Sequence, residues 1–164
     1  MNWYLIIKFF HIIAVTITIG GMFARQVVRA YAKKSDEIKA VASLTHAAVR
    51  IDRSLVIPWS NVMILMGIIL AIMQKWPIFG FLQGSSQNWL LVSNILLVVM
   101  MVLIPIVFVP HNKRIEAILQ PALAEGRVTP ELTSALNDQT NKVGHYAEEV
   151  IVLVVAALMV LKPF

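Results

Sequence analysis

A stripe of polar and small side chains along the first apolar stretch carries the clearest chemical signal. Five residues lie within about 60° of His11 on a helical projection: Lys8, Thr18, Met22, Arg25 and Arg29. An ionisable side chain inside an apolar stretch is costly to bury and so indicates function. Because imidazole is a haem-iron ligand, the stripe predicts a b-type haem site at His11. The alternative is a neutral imidazole that hydrogen-bonds a neighbouring helix, with Lys8 extending to the headgroups.

A second group of candidate ligands is formed by His111, His145, Glu148 and Glu149. Counting the helix rise from the far end of each apolar stretch places His111 about 33 Å down and His145 about 28 Å down, at the level of the basic residues Arg25 and Arg53. Imidazole and carboxylate groups bind metals, so these four residues and His11 are the candidate metal ligands, or the edge of a second haem site. The alternative is a charge-paired cluster that locks helix ends together.

The composition excludes a water-soluble protein. Of the 164 residues, 59% are hydrophobic and 14% are charged, against about 45–50% and about 25% in soluble domains. The sequence therefore predicts an integral membrane protein whose first partner is the lipid bilayer. Because it has no cysteine, disulfides, thiolate metal sites and covalently attached c-type haem are excluded. The net charge of +5 follows the membrane topology, so no nucleic-acid partner is expected.

Four apolar stretches must position the candidate ligands. Each has about the length of a membrane-spanning helix, and they cover approximately residues 3–24, 54–74, 89–110 and 146–161. The connections keep a helical pattern, with Thr129 as a candidate N-cap before Pro130 and a last helix that continues from there. The predicted fold class is all-α: one domain, residues 1–164, forming an up-and-down four-helix membrane bundle with helices that extend into the cytoplasm.

The basic residues predict the orientation of the bundle. Of the fourteen Lys and Arg residues, seven lie between the first two stretches and four between the last two, which leaves Lys8, Lys75 and Lys162 for the other side. The positive-inside bias then places both long connections in the cytoplasm and both termini outside. The expected partners besides lipid are a second copy of the chain, in a homo-oligomer, or another membrane protein in a complex.

The first stretch resembles the opening helix of a group of small bacterial membrane proteins. The resemblance lies in the run Lys8-Phe-Phe-His11-Ile-Ile-Ala-Val, followed by Gly20-Gly21 and Arg25. The group contains the membrane protoporphyrinogen oxidases, the copper-resistance D-type proteins and an uncharacterised four-span family of predicted integral membrane proteins. The last looks closest, because Pro58, Gly67 and the Trp89-Leu-Leu opening fit its layout. The resemblance implies a bacterial inner-membrane location and a haem ligand at the position of His11.

The leading functional hypothesis is therefore a cytochrome-like redox protein that binds haem b. In it His11 is an axial ligand and Lys8 or Arg25 pairs with a propionate. The first alternative is a non-enzymatic accessory or scaffold subunit that docks through its cytoplasmic helices, and the second is a protein that handles copper. Whether the protein is an enzyme, and which residue is the second axial ligand, stay open.

Overall fold

The computed structural model describes residues 2–163, which contain helices and no strand. Four long helical rods run up and down: Trp3–Lys34, Ile38–Met73, Trp89–Glu125 and Pro130–Leu161. All four are long and apolar enough to cross a membrane. The predicted all-α fold class and the four-helix membrane bundle are therefore confirmed.

Helix α1 (Trp3–Lys34) is the only one of these rods without an interruption in the residues described. The second rod consists of α2 (Ile38–Ile51), a π-helical turn (Asp52–Val56) and α3 (Ile57–Met73). The third consists of α4 (Trp89–Leu103), a π-helical turn (Ile104–Phe108) and α5 (Val109–Glu125). The fourth consists of α6 (Pro130–Leu136) and α7 (Gln139–Leu161).

Each π-helical turn accompanies a proline. Pro58 and Pro105 lack an N–H group, so neither can donate the usual hydrogen bond to the carbonyl four residues earlier. The helix widens there, and the amide of Ile57 bonds to the Asp52 carbonyl five residues back. The amide of Val109 does the same with the Ile104 carbonyl. The chain therefore stays helical through both prolines and aims Asp52 and Phe108 into the bundle.

Each π-helical turn also packs against a glycine of a neighbouring helix. A Cβ atom at Gly21 of α1 would lie 3.1 Å from Val56, and one at Gly144 of α7 would lie 3.0 Å from Phe108. These distances are tighter than ordinary side-chain contact, so glycine at both positions allows the observed close approach of the helices. The two contacts bring α1 to the first turn and α7 to the second.

The helical extensions pack on one another as two arms, residues 25–53 and 109–145. Their core is made of six apolar side chains: Ile38, Val41, Ala42, Leu119, Ala122 and Leu132. The Thr129 hydroxyl accepts a hydrogen bond from the amide of Leu132 at 3.2 Å, which confirms the predicted N-cap. The expected continuous last helix was wrong, because it breaks before Gln139, where the Asp138 carboxylate caps a new helix.

The opposite end of the bundle, where the described chain begins and ends, is closed by aromatic residues. The rings of Trp76 and Trp89 meet edge to face at 5.2 Å, and the Lys162 ammonium lies 4.0 Å from the centre of the Trp76 ring. Between them, residues 77–88 form a loop with a short 3-10 helix, Gly80–Gln83. We call this the terminal end and the other the arm end.

Candidate functional site

His11 lies between α1 and α3 near the terminal end. Its Nδ1 atom is 2.9 Å from the backbone carbonyl oxygen of Met63, so the ring donates a hydrogen bond there. One turn later, Gly67 presents no side chain to the ring, and a Cβ atom there would lie 3.2 Å from His11 Cε1. This hydrogen bond is the one that the structural alternative predicts. It also fixes the proton on Nδ1 and leaves the Nε2 lone pair available.

Lys8 lies one turn before His11 on the same helix and is exposed. Its ammonium group is 5.9 Å from the centre of the Tyr4 ring, and it forms no ion pair within residues 2–163. The predicted snorkelling geometry and the predicted propionate contact both require an unpaired cation at this level, and Lys8 supplies one.

At the arm end, Arg25 is buried in an ion-pair network. Its side chain is 4% exposed, with Nη1 2.7 Å from Asp52 Oδ1 and Nη2 2.6 Å from Glu148 Oε2. The network therefore joins α1, the first π-helical turn and α7 through one guanidinium group. Charge-assisted hydrogen bonds of this length are the strong class, and each carboxylate neutralises part of a charge that burial would otherwise penalise.

His145 and Arg29 complete the network. Arg29 donates to Nε2 of His145, and Nδ1 of the same ring is 3.1 Å from Glu148 Oε2. Because a guanidinium group only donates, Nε2 must accept, so the proton lies on Nδ1 and is donated to Glu148. The ring stacks on Phe108 at 4.3 Å with an angle of 4° between the planes. We call Arg25, Arg29, Asp52, His145 and Glu148 the ion-pair network.

The predicted charge-paired alternative for the second group is thus confirmed for Glu148 and His145. Its basic partner is Arg25, whereas Arg53, which follows Asp52 in the π-helical turn, is exposed. Sequence reasoning missed Asp52, because the π-helical turn that aims it inward has no hydrophobic signature. Two residues could have indicated it: Gly21 lies one turn before Arg25, and Pro58 lies about one and a half turns after Asp52.

The structure does not bring the predicted metal ligands together. Among the residues described, no group of three or more His, Asp or Glu is arranged to hold a metal ion. Both ring nitrogens of His145 and Oε2 of Glu148 are bonded to each other or to arginines, while His111 and Glu149 line the cavity beside His145. His11 is at the other end of the bundle. A metal held by His111, His145, Glu148 and Glu149 is therefore not supported.

Arg25 is also placed differently from its predicted role. Fourteen residues of helix separate it from His11, about 21 Å along the axis. Both of its terminal nitrogens are bound to protein carboxylates. A group bound at His11 would therefore find its cationic partner in Lys8 and not in Arg25.

The chain matches a known protein family. The family model described as "Predicted integral membrane protein (DUF2269)" matches residues 5–163. No curated protein and no solved structure matches the chain. The family match confirms the expected relationship to an uncharacterised membrane family, while the resemblance to the oxidases and the copper-resistance proteins stays a prediction.

Proposed function

Since this chain belongs to the DUF2269 family of predicted integral membrane proteins, we propose its function from its own residues: it binds haem b through His11 and acts as a membrane redox protein. The hydrogen bond from His11 Nδ1 to the Met63 carbonyl carries the proposal. Histidines that bind metals almost always donate their other ring N–H to a carbonyl or carboxylate, which orients the ring and raises the basicity of the ligand nitrogen.

The surroundings of His11 favour a flat, apolar ligand. Gly67 lets the His11 ring lie close against α3, and the neighbours of His11 along α1, Phe9, Phe10 and Ile12, are exposed apolar side chains. Lys8 lies about 4.5 Å along the axis toward the terminal end, so a propionate would meet a cation near the headgroup level. Haem bound there would supply a one-electron redox couple. His11 would be its ligand, and Lys8 would place a positive charge beside it.

The absorption spectrum of the protein purified in mild detergent from haem-replete cells tests this proposal. We expect a Soret band that is lost in His11→Ala and kept in His46→Ala. His46 is a suitable control because its side chain is 51% exposed on an arm and its nearest charged partner is Glu116 at 3.6 Å. A colourless preparation, or a Soret band that survives in His11→Ala, would contradict haem binding at this residue.

A second candidate function is a scaffold or accessory subunit, and the core of the two arms favours it. Six apolar side chains are buried there, so the arms form one packed unit beyond the apolar parts of the rods that could present a fixed surface. Native mass measurement with metal analysis separates the candidates. A coloured homo-oligomer supports the haem proposal, a colourless chain recovered with a different membrane protein supports the scaffold, and bound copper supports copper handling.

A further inference from the structure

A cavity of about 360 Å³ opens beside the ion-pair network at the arm end. Residues of α1, α2, α5, α6 and α7 form its wall. Its size is at the lower end of the range of small-molecule sites, about 300–1,000 Å³. It is separate from His11, which lies near the other end of the bundle, so it takes no part in the haem proposal.

The wall of the cavity is cationic. Arg29, Lys33 and Lys142 line it, against the single carboxylate of Glu149. Arg29 has Asp52 at 3.6 Å, whereas neither lysine forms an ion pair within residues 2–163. Lys33 is half-buried and Lys142 lies exposed at the rim. Two cations held at one cavity without a carboxylate partner repel each other, so an anion between them would be stabilised.

Two polar atoms in the same wall have no partner. Asn141, which is 7% exposed, has its Oδ1 atom buried without a hydrogen bond, and so has Thr45 at its Oγ1 atom. Both residues line the cavity. A buried polar atom without a partner is destabilising, so such atoms point to a polar group that the chain itself does not provide.

We propose that this cavity binds a phosphate-bearing anion. Phosphate oxygens accept from the two lysines and the Thr45 hydroxyl, and an amide such as that of Asn141 both donates and accepts. The cavity lies just beyond the last apolar residues of α1, the level at which lipid headgroups meet a spanning helix. Val27 and Tyr146 are exposed at its rim, which gives an acyl chain an apolar path to the bilayer. A phospholipid headgroup and a soluble phosphate monoester share this chemistry.

The test uses the full-length protein in a neutral detergent and counts bound ligand by native mass spectrometry. Phosphatidylglycerol, zwitterionic phosphatidylcholine, and glycerol phosphate are titrated in parallel. We expect the affinity for the anionic ligand to fall about tenfold or more in Lys33→Gln/Lys142→Gln. The control Lys34→Gln/Lys113→Gln removes the same charge from exposed positions of the arms and should change the affinity by less than twofold.

The outcomes distinguish a lipid headgroup from a soluble phosphate ester, and both of these from a cavity that binds no anion. Binding of phosphatidylglycerol alone identifies a lipid headgroup, and binding of glycerol phosphate with the same dependence on the two lysines identifies a soluble ligand. Equal losses in both double variants, or binding of no anion, would overturn the proposal. None of these readouts depends on haem absorbance.

A variant of Asn141 gives an independent check. Asn141→Leu removes the unpartnered atom at similar volume, so the ligand-free protein should unfold at a higher temperature. The rise in melting temperature on adding phosphatidylglycerol should shrink at the same time. A variant that keeps the full ligand-induced rise would show that Asn141 lies outside the binding site.

Discussion

At the residue scale, Glu148 is where the charges of the arm end meet. Its Oε2 atom accepts hydrogen bonds from Arg25 and from His145, and the residue is 5% exposed. Asp52 is the other carboxylate on Arg25, so a chain without Glu148 would keep a buried guanidinium with half of its neutralising charge. The Nδ1–H group of His145 would also lose the oxygen that accepts its hydrogen bond.

Glu148→Gln should therefore destabilise the protein, because it removes the charge and keeps the shape. We expect a loss of about 3–5 kcal/mol, seen as a clear drop in the melting temperature in detergent. Glu149→Gln is the matched control: the neighbouring residue is half-buried, forms no ion pair within residues 2–163, and should leave the melting temperature nearly unchanged. Equal effects of the two variants would show that the network does not hold the helices.

Sequence reasoning reached this cluster through the helix rise, which put His145 at about the level of Arg25 and Arg53. It could not choose Arg25 over Arg53, since a projection on an ideal helix assigns each residue one direction. The π-helical turn at Asp52 adds a residue to the turn and rotates all that follows. The choice therefore depends on a backbone feature that periodicity does not encode.

At the scale of the elements, each wide turn is matched to a glycine on the opposing helix. The widened backbone pushes side chains outward, and the missing Cβ atom accepts them: Val56 fits at Gly21, and Phe108 fits at Gly144. Phe108 also stacks on His145, so the second contact positions the imidazole of the ion-pair network. The turns thus act as fixed joints between packed helices.

Replacing Gly144 should disturb that joint. In Gly144→Ala the new Cβ atom would lie 3.0 Å from Phe108 Cε1, and we expect a loss of about 1–3 kcal/mol in thermal unfolding. Gly20→Ala is the control, because nothing lies within 4 Å of a Cβ atom there and alanine favours a helix by about 0.5–1 kcal/mol. Its melting temperature should be unchanged or higher. If Gly144→Ala were as stable as Gly20→Ala, the prediction would be contradicted, because Phe108 would then have room for the added Cβ atom.

The elements themselves were largely predictable. Apolar length alone located all four spans, and the Thr129-Pro130 pair located the start of α6. The break before α7 was not foreseen, because Asp138 reads as an ordinary polar residue of an exposed helix until its cap geometry is seen. Local hydrogen bonds of this kind compete with the helix and depend on contacts that lie far away along the chain.

At the scale of the whole molecule, the two ends of the bundle differ in kind. The terminal end is closed by Trp76, Trp89 and Lys162, a combination suited to a headgroup layer. The arm end carries the ion-pair network, the phosphate cavity proposed above and the packed arms. Large apolar side chains are exposed along the rods between the two ends, as a lipid-facing surface requires. The asymmetry predicts that the bundle has one direction in the membrane.

That direction is the last prediction. Since eleven of the fourteen basic residues belong to the arms and the segments that join them, the positive-inside bias places the arm end in the cytoplasm. The chain has no cysteine, so Ser43→Cys on an arm and Ser86→Cys in the 77–88 loop each give one exposed thiol. In cells whose outer membrane has been permeabilised, a maleimide that does not cross the inner membrane should label Ser86→Cys. It should label Ser43→Cys only after lysis. The reverse pattern would place the arms outside and would mean that the ion-pair network, which neutralises part of the basic charge, outweighs the loop charges in setting the topology.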